Sequence, residues 1–172
     1  MVSDSVVIFP TQRGNEMKLS TILTIAILLF ASSVAFGQAT DRPNPKFDPD
    51  LAKRLGADDY GMKNYVLVIL KSSTTPVPKG KERDEMFAGH FANMNRLAGE
   101  GKLAVAGPLD GVDGWRGLFV LAVSDIEEAK KIVATDPVII KGEMIAEYHK
   151  WYGSAAMMMV NEAHERLGKK SF

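Results

Sequence analysis

Cysteine is absent from the 172-residue sequence. Its absence excludes disulfides and thiolate metal ligands. The chain also lacks an excess of charge, because 21 lysines and arginines are matched by 21 aspartates and glutamates. Binding to a nucleic-acid backbone requires clustered positive charge, so we expect no nucleic-acid partner. Histidine occurs only at positions 90, 149 and 164, without metal-ligand spacing, and no P-loop or dinucleotide fingerprint is present. We therefore expect neither a metal nor a cofactor.

Long hydrophobic segments are scarce, and the most apolar one spans only residues 22–31. This segment is shorter than the roughly 20 residues that cross a bilayer. It follows Lys18 and precedes the small residues Ala35 and Gly37, a pattern typical of a secretory signal peptide at 17–37. Residues 1–16 then lie upstream of the true initiator, Met17. We expect a secreted or periplasmic protein with no membrane partner after cleavage; an uncleaved anchor is the alternative.

Strand and helix patterns alternate in the rest of the chain. Residues 38–62 are expected to form a linker, with three prolines in 38–49, and a short helix at 50–55. Apolar, β-branched runs predict strands, and apolar residues at helical spacing predict helices. The predicted strands are 65–70, 103–106, 118–123 and 144–151, and the predicted helices are 81–98, 125–134 and, within a C-terminal segment 154–172, 155–167. The β-α-β-β-α-β order is that of a ferredoxin-like α+β sandwich with an extra C-terminal helix.

Two of the predicted strands are apolar at consecutive positions, over 66–70 and 118–123. Both faces of the sheet are therefore expected to be buried. Two helices cover only one face. We expect the same sheet of a second subunit to cover the other face, which closes a homodimeric α/β barrel. The C-terminal helix is the alternative cover.

Four segments carry a resemblance to a known family: YVLVILK at 65–71, GHFANMNRLAGEGKLAVAGPL at 89–109, GLFVLAVSDIEEAKKIVATDP at 117–137, and the strand before WYG at 151–153. Over residues 63–153 the chain resembles the YCII-related (YciI-like) family of small dimeric α/β-barrel proteins. The resemblance implies a ferredoxin-like fold, dimerisation through the sheets and an acid–base site built on a His and an Asp. Some members of that family are dehydrochlorinases of chlorinated hydroxyquinols.

His90 is the first candidate for chemistry. Helical spacing places it in the apolar stripe of the 81–98 helix together with Phe87, Phe91 and Met94, facing the sheet. One interpretation is a core histidine bonded to a backbone carbonyl. The other is a general acid or base, because imidazole titrates near neutral pH. The resemblance matches His90 to the family's motif histidine, although Phe87 stands where many relatives carry arginine.

Asp136 is the second candidate. It precedes Pro137, and an Asp-Pro pair ends a helix without any further function. The resemblance implies another role, in which the Asp136 carboxylate is aimed at His90, fixes the tautomer of the ring and stabilises the imidazolium. The residues alone leave both interpretations open.

Four candidates for substrate binding come from a glycine-rich loop predicted at 107–117. Gly107 and Pro108 shape the end of the second strand, where a backbone amide can face a substrate; a plain strand stop is the alternative. Trp115 and Arg116 can form an aromatic wall and an anion clamp. The alternative for this second pair is a loop anchor with a solvated charge.

Two classes of function are consistent with these residues. The first is a small enzyme in which His90 and Asp136 transfer protons during an elimination, isomerisation or hydrolysis of a small, aromatic or unsaturated substrate. The second is an exported binding protein that holds a small apolar ligand without chemistry. Polar groups converging on His90 favour catalysis, whereas an all-apolar wall favours binding. A cofactor-free monooxygenase of the same barrel type is a third interpretation.

Overall fold

The computed structural model describes residues 43–169. The predicted signal peptide at 17–37, the residues before it and the start of the predicted linker lie outside the described residues. A compact unit begins at Lys46. Within residues 43–169, no helix is long and apolar enough to cross a membrane.

The order of strands and crossover helices agrees with the sequence-based prediction. The helices are α1 Pro49–Leu55, α2 Lys81–Gly99, α3 Ile126–Val133, α4 Pro137–Ile140 and α5 Val160–Leu167, and the strands are β1 Met62–Ser72, β2 Leu103–Pro108, β3 Trp115–Leu121 and β4 Met144–Ser154. Two 3₁₀ turns, Val112–Gly114 and Ala155–Met159, complete the set. The C-terminal helix predicted as one piece thus consists of a 3₁₀ turn followed by α5.

The four strands form one antiparallel sheet in the order β2-β3-β1-β4. Strand β1 lies in the interior of the sheet and pairs with β4 along its whole length, from Met62 opposite Ser154 to Ser72 opposite Met144. This order, with two helices crossing one face, confirms the predicted ferredoxin-like α+β sandwich.

The loop predicted at 107–117 is shorter in the structure, because the strands on both sides of it extend further. Pro108 still pairs with Gly117, and the backbone N–H of Leu109 donates to the carbonyl of Arg116. A proline is compatible with the end of an edge strand, where no ladder hydrogen bond depends on its missing N–H. Gly107 and Pro108 end β2, as expected, whereas the prediction that Trp115 and Arg116 lie in the loop was wrong, because they begin β3.

Helices α2 and α3 pack on one face of the sheet and enclose the main core. The buried apolar residues of β1 and β3 that point to this face include Val66, Val68, Leu70, Phe119 and Leu121. Full burial of such a side chain stabilises a fold by about 1.5–3 kcal/mol relative to leaving it exposed. His90 of α2 packs against this same face, where its ring stacks on Phe119.

The opposite face of the sheet is partly covered by the chain itself. Tyr65, Ala104 and Val120 are buried there, and Met157 and Met158 of the second 3₁₀ turn pack against them. We expected a second subunit to cover this face, with the C-terminal helix as the alternative. The C-terminal segment does cover part of it. Side chains alternate across a strand, so Ile145 and Trp151 of β4 share this face; they are 55% and 38% exposed.

The turn before β1 is tied to the end of β4 through Asp58. Its carboxylate accepts hydrogen bonds from the Tyr152 hydroxyl and from the backbone N–H groups of Tyr60 and Met62. The hydrogen bond from Tyr152 has the largest effect among those that lower the pKa of Asp58, and the same contact raises the pKa of Tyr152. A carboxyl pKa that is lower in the folded state stabilises the fold at pH values above the unfolded pKa.

We expect Tyr152→Phe to raise the pKa of Asp58 toward its ordinary value of 3.8, because the phenol donor is lost. NMR titration of the carboxyl group measures this shift. The stability that Asp58 contributes is lost as the pH falls through its folded-state pKa. Because this contribution is smaller in Tyr152→Phe, the variant should lose less stability on acidification than the wild type. Tyr60→Phe is the matched control, because Tyr60 uses only its backbone N–H in this bond. An Asp58 titration identical in both variants would contradict the contact.

Candidate functional site

His90 lies on the inner face of α2, as the helical spacing predicted. The residue is 8% exposed. Its ring stacks on Phe119 of β3, with centroids 5.9 Å apart and planes at 25°, and the rings of Phe87 and Phe91 lie 6.3 and 5.5 Å away. Three aromatic rings therefore fix the imidazole between the helix and the sheet.

Asp136 is completely buried and contacts His90 directly. Nδ1 of His90 lies 2.9 Å from both carboxylate oxygens of Asp136. The same carboxylate accepts a hydrogen bond of 3.1 Å from the backbone N–H of Val138, because Asp136 is the N-cap of α4. The contact with the histidine, one of the two interpretations that the sequence left open, is therefore present. The other was wrong in detail: α3 already ends at Val133, and Asp136 begins α4 instead of ending α3.

The contact with Asp136 determines which ring nitrogen of His90 is available for chemistry. An ionised carboxylate can only accept hydrogen bonds, so Nδ1 carries a proton and, in the neutral ring, Nε2 carries the lone pair. Within residues 43–169 every buried side-chain nitrogen or oxygen has a hydrogen-bond partner, and no protein group bonds Nε2. Nε2 therefore lies at the accessible part of the ring, on the side away from Asp136.

Asn93 supports the pair and was missed by the sequence reasoning. One turn beyond His90 on α2, it donates from Nδ2 to the Asp136 carboxylate over 3.3 Å. Its Oδ1 accepts from Nη2 of Arg96 at 2.7 Å and from the Thr135 hydroxyl at 3.3 Å. The spacing of three residues from His90 was a usable signal, since such residues share a helix face. Asp136 thus receives three donors and is held as an acceptor.

Gly89 allows α4 to approach α2 at the level of His90. A Cβ atom at position 89 would lie 3.0 Å from Cγ of Pro137, tighter than nine in ten real Cβ contacts, so Pro137 would have to move by a few tenths of an ångström. Pro137 follows Asp136 directly and occupies the first turn of α4. The absence of a side chain at Gly89 therefore lets Pro137, and with it Asp136, pack closely against α2.

A second buried carboxylate, Glu143, lies just before β4 and was not predicted. It is completely buried, accepts from the backbone N–H of Val77 at 2.9 Å, and lies 2.5 Å from Nη2 of Arg83 and 3.6 Å from Nη1 of Arg116. The Arg83 guanidinium also lies over the ring of Phe87, 5.4 Å from its centroid. Two arginines therefore share one carboxylate. One of them, Arg83, also contacts Phe87, whose ring lies beside His90.

The predicted substrate-binding residues lie in two separate places. Gly107 and Pro108 line a cavity of about 330 Å³ between α2, β2 and α5, which His90 and Asp136 do not line. Trp115 is 41% exposed, and Arg116 pairs with Glu143 instead of carrying a solvated charge. The structure thus brings His90 and Asp136 together, but the other four residues do not share a pocket with that pair.

No group of three His, Asp or Glu side chains in the described part of the chain can hold a metal ion.

Comparison with known proteins agrees with the fold. The profile of the YCII-related domain matches residues 64–151. The uncharacterized protein YjpA of Bacillus subtilis strain 168 is 31% identical over 90 residues, which are 52% of this chain and 95% of that protein. The segment matched by the profile contains His90, Asn93, Asp136 and Glu143, and it ends before the second 3₁₀ turn and α5. By sequence match and by fold, the chain belongs to the YCII-related domain family.

Proposed function

We propose that the chain is a small acid–base enzyme in which His90 transfers a proton to and from a small substrate. The observation that carries this proposal is the contact between Nδ1 of His90 and the buried Asp136 carboxylate, combined with an Nε2 atom that forms no hydrogen bond with any residue of 43–169. The carboxylate orients the ring and balances the charge that develops when Nε2 takes up a proton.

The supported reaction types are elimination, isomerisation and hydrolysis. In each, Nε2 removes a proton from a carbon, a hydroxyl group or water, and the resulting imidazolium returns it to a leaving group or to another atom of the substrate. The rings of Phe87, Phe91 and Phe119 around His90 favour an aromatic or unsaturated substrate. Within this proposal Gly107, Pro108, Trp115 and Arg116 remain candidates for substrate contacts.

The second candidate function is binding of a small ligand without chemistry. One observation favours it: the cavity beside β2 is lined mainly by apolar groups, and His90 is not among them. An apolar wall separate from the acid–base pair is what a binding protein requires.

The two functions are distinguished by turnover. Lactones, aryl esters, β-substituted ketones and enol tautomers with one aromatic ring form a suitable substrate panel, assayed with the full chain and with His90→Gln. An enzyme should turn over at least one class, and the His90→Gln variant should lose that activity. Saturable binding of panel compounds with no turnover, unaffected by His90→Gln, would support the binding protein instead.

We also propose that the protein is a homodimer that associates through the second sheet face. The exposed Ile145 and Trp151 on that face support this, since the C-terminal segment packs on a different part of it. Light scattering on residues 38–172 at micromolar concentration should give twice the mass of the chain. Ile145→Asp combined with Trp151→Ser should shift the mass to that of one chain, whereas Ile140→Asp, at an apolar residue 66% exposed on α4, should not. A monomeric wild type would contradict the dimer.

A further inference from the structure

The cavity beside β2 has walls from three separate elements. Helix α2 contributes Phe91, Met94, Asn95 and Ala98; strand β2 contributes residues 103 and 105–108; helix α5 contributes Val160, Asn161 and His164. Its volume is about 330 Å³, which lies at the lower end of the range of small-molecule sites. None of the twelve lining residues is Asp, Glu, Lys or Arg.

We infer that this cavity is a binding site for a small neutral molecule with one or two rings and a single hydrogen-bonding group. The size admits one or two rings, and the aromatic and aliphatic walls favour an apolar body. An anion buried there would find no Lys or Arg in the wall, and a cation would find no Asp or Glu, so burying either charge is unfavourable. The side chains of Asn95 and Asn161 supply the polar positions that can orient a hydroxyl, carbonyl or amine. This inference does not depend on the acid–base role of His90.

Helix α5 makes the site specific to this chain. All three of its lining residues lie beyond residue 151, where the family match ends. Asn161 attaches the helix to the edge strand by donating from Nδ2 to the backbone carbonyl of Leu103 over 2.8 Å. The C-terminal helix therefore acts as the outer wall of the cavity, and selection of the ligand depends in part on Val160 and Asn161.

Benzyl alcohol and benzoate form a suitable pair of probes, because they are similar in size and differ in charge. Amide NMR spectra of residues 38–172 recorded at pH 8 follow each titration. Benzyl alcohol should bind saturably, with a Kd of about 1 mM as expected for so few atoms, and should shift the signals of cavity-lining residues. Benzoate should bind at least about tenfold more weakly because its carboxylate would be desolvated without a partner. Equal binding of both, or no saturable shift, would overturn the inference.

Two variants test the location of the site. Ala98→Phe fills the cavity from α2 and should weaken benzyl alcohol binding by about tenfold or more, whereas Ala92→Phe, at an exposed position of the same helix, should leave it unchanged. Val160→Asp places a charge in the wall at a residue that is 41% exposed, so the fold tolerates it while binding falls. Equal affinities in Ala98→Phe and Ala92→Phe would refute the site.

The His90→Gln variant separates this inference from the proposed enzyme. It should bind benzyl alcohol with unchanged affinity, since His90 does not line the cavity. If turnover is absent from the wild type but the cavity binds, the enzyme proposal fails and the binding site stands. If His90→Gln abolishes benzyl alcohol binding, the cavity is not an independent site.

Discussion

Replacing His90 with glutamine should lower turnover of any accepted substrate by about 10²–10⁴-fold, the usual contribution of a positioned general acid–base group. Glutamine can form hydrogen bonds at the same place, but its amide does not take up and return a proton at neutral pH. His149→Gln is the matched control, because His149 lies 51% exposed on β4, with Nε2 2.7 Å from Glu147, and shares the sheet face of Leu67, opposite the face against which His90 packs. A similar loss in both variants would contradict a specific role for His90.

The Asp136→Asn variant tests whether the carboxylate positions the ring. The amide group that replaces the carboxylate would donate to Nδ1, which transfers the ring proton to Nε2 and removes the lone pair from the accessible side. We expect a large loss of turnover together with a change of tautomer, visible in long-range ¹H–¹⁵N NMR of His90. Loss of stability with an unchanged tautomer would mean that Asp136 acts only as the cap of α4.

Replacing Glu143 with glutamine should lower the free energy of unfolding by about 2–3 kcal/mol, since breaking a buried ion pair by removing one partner typically costs about 3–5 kcal/mol. The side chains of Arg83 and Arg116 are 22% and 33% exposed. Water can therefore solvate the two guanidinium groups in part once the carboxylate is gone, so we expect a cost at or below the lower end of this range. Without the carboxylate the two guanidinium groups also repel each other. Urea denaturation measures the change.

Glu82→Gln provides the comparison for Glu143. Glu82 pairs with Lys141 over 2.8 Å, but both side chains are at least half exposed, and exposed pairs contribute little to stability. The free energy of unfolding should therefore barely change in Glu82→Gln. A Glu143→Gln variant as stable as Glu82→Gln would show that the buried pair does not hold this end of the sheet.

Features with a local cause could be predicted from the sequence. The inward orientation of His90 follows from the spacing of apolar residues along one helix. The order of strands and helices along the chain follows from the succession of apolar runs. The strand ends were predicted less accurately, because glycine and proline usually interrupt strands. Here the pairing of Pro108 with Gly117 extends the hairpin instead. Tertiary pairing, which the local sequence does not reveal, overrode the local preference.

Features that depend on distant residues could not be predicted from patterns. His90 and Asp136 are 46 positions apart, and only the family resemblance suggested their contact. Glu143 gave no signal at all, because an isolated glutamate is usually exposed. Its burial depends on Arg83, 60 positions earlier. The cavity could not be predicted either, because its walls come from three elements that meet only in the folded chain.

The pairing of β1 with β4 also has a kinetic consequence. The two strands that share the longest ladder are separated by about 70 residues at its nearest end, Ser72 opposite Met144, and closing so large a loop costs entropy before the ladder can form. During synthesis, β1 leaves the ribosome long before β4, so one of its edges stays open while the helices form. An open strand edge is a template for pairing with other chains. The interval before β4 emerges is therefore when this protein is most exposed to aggregation.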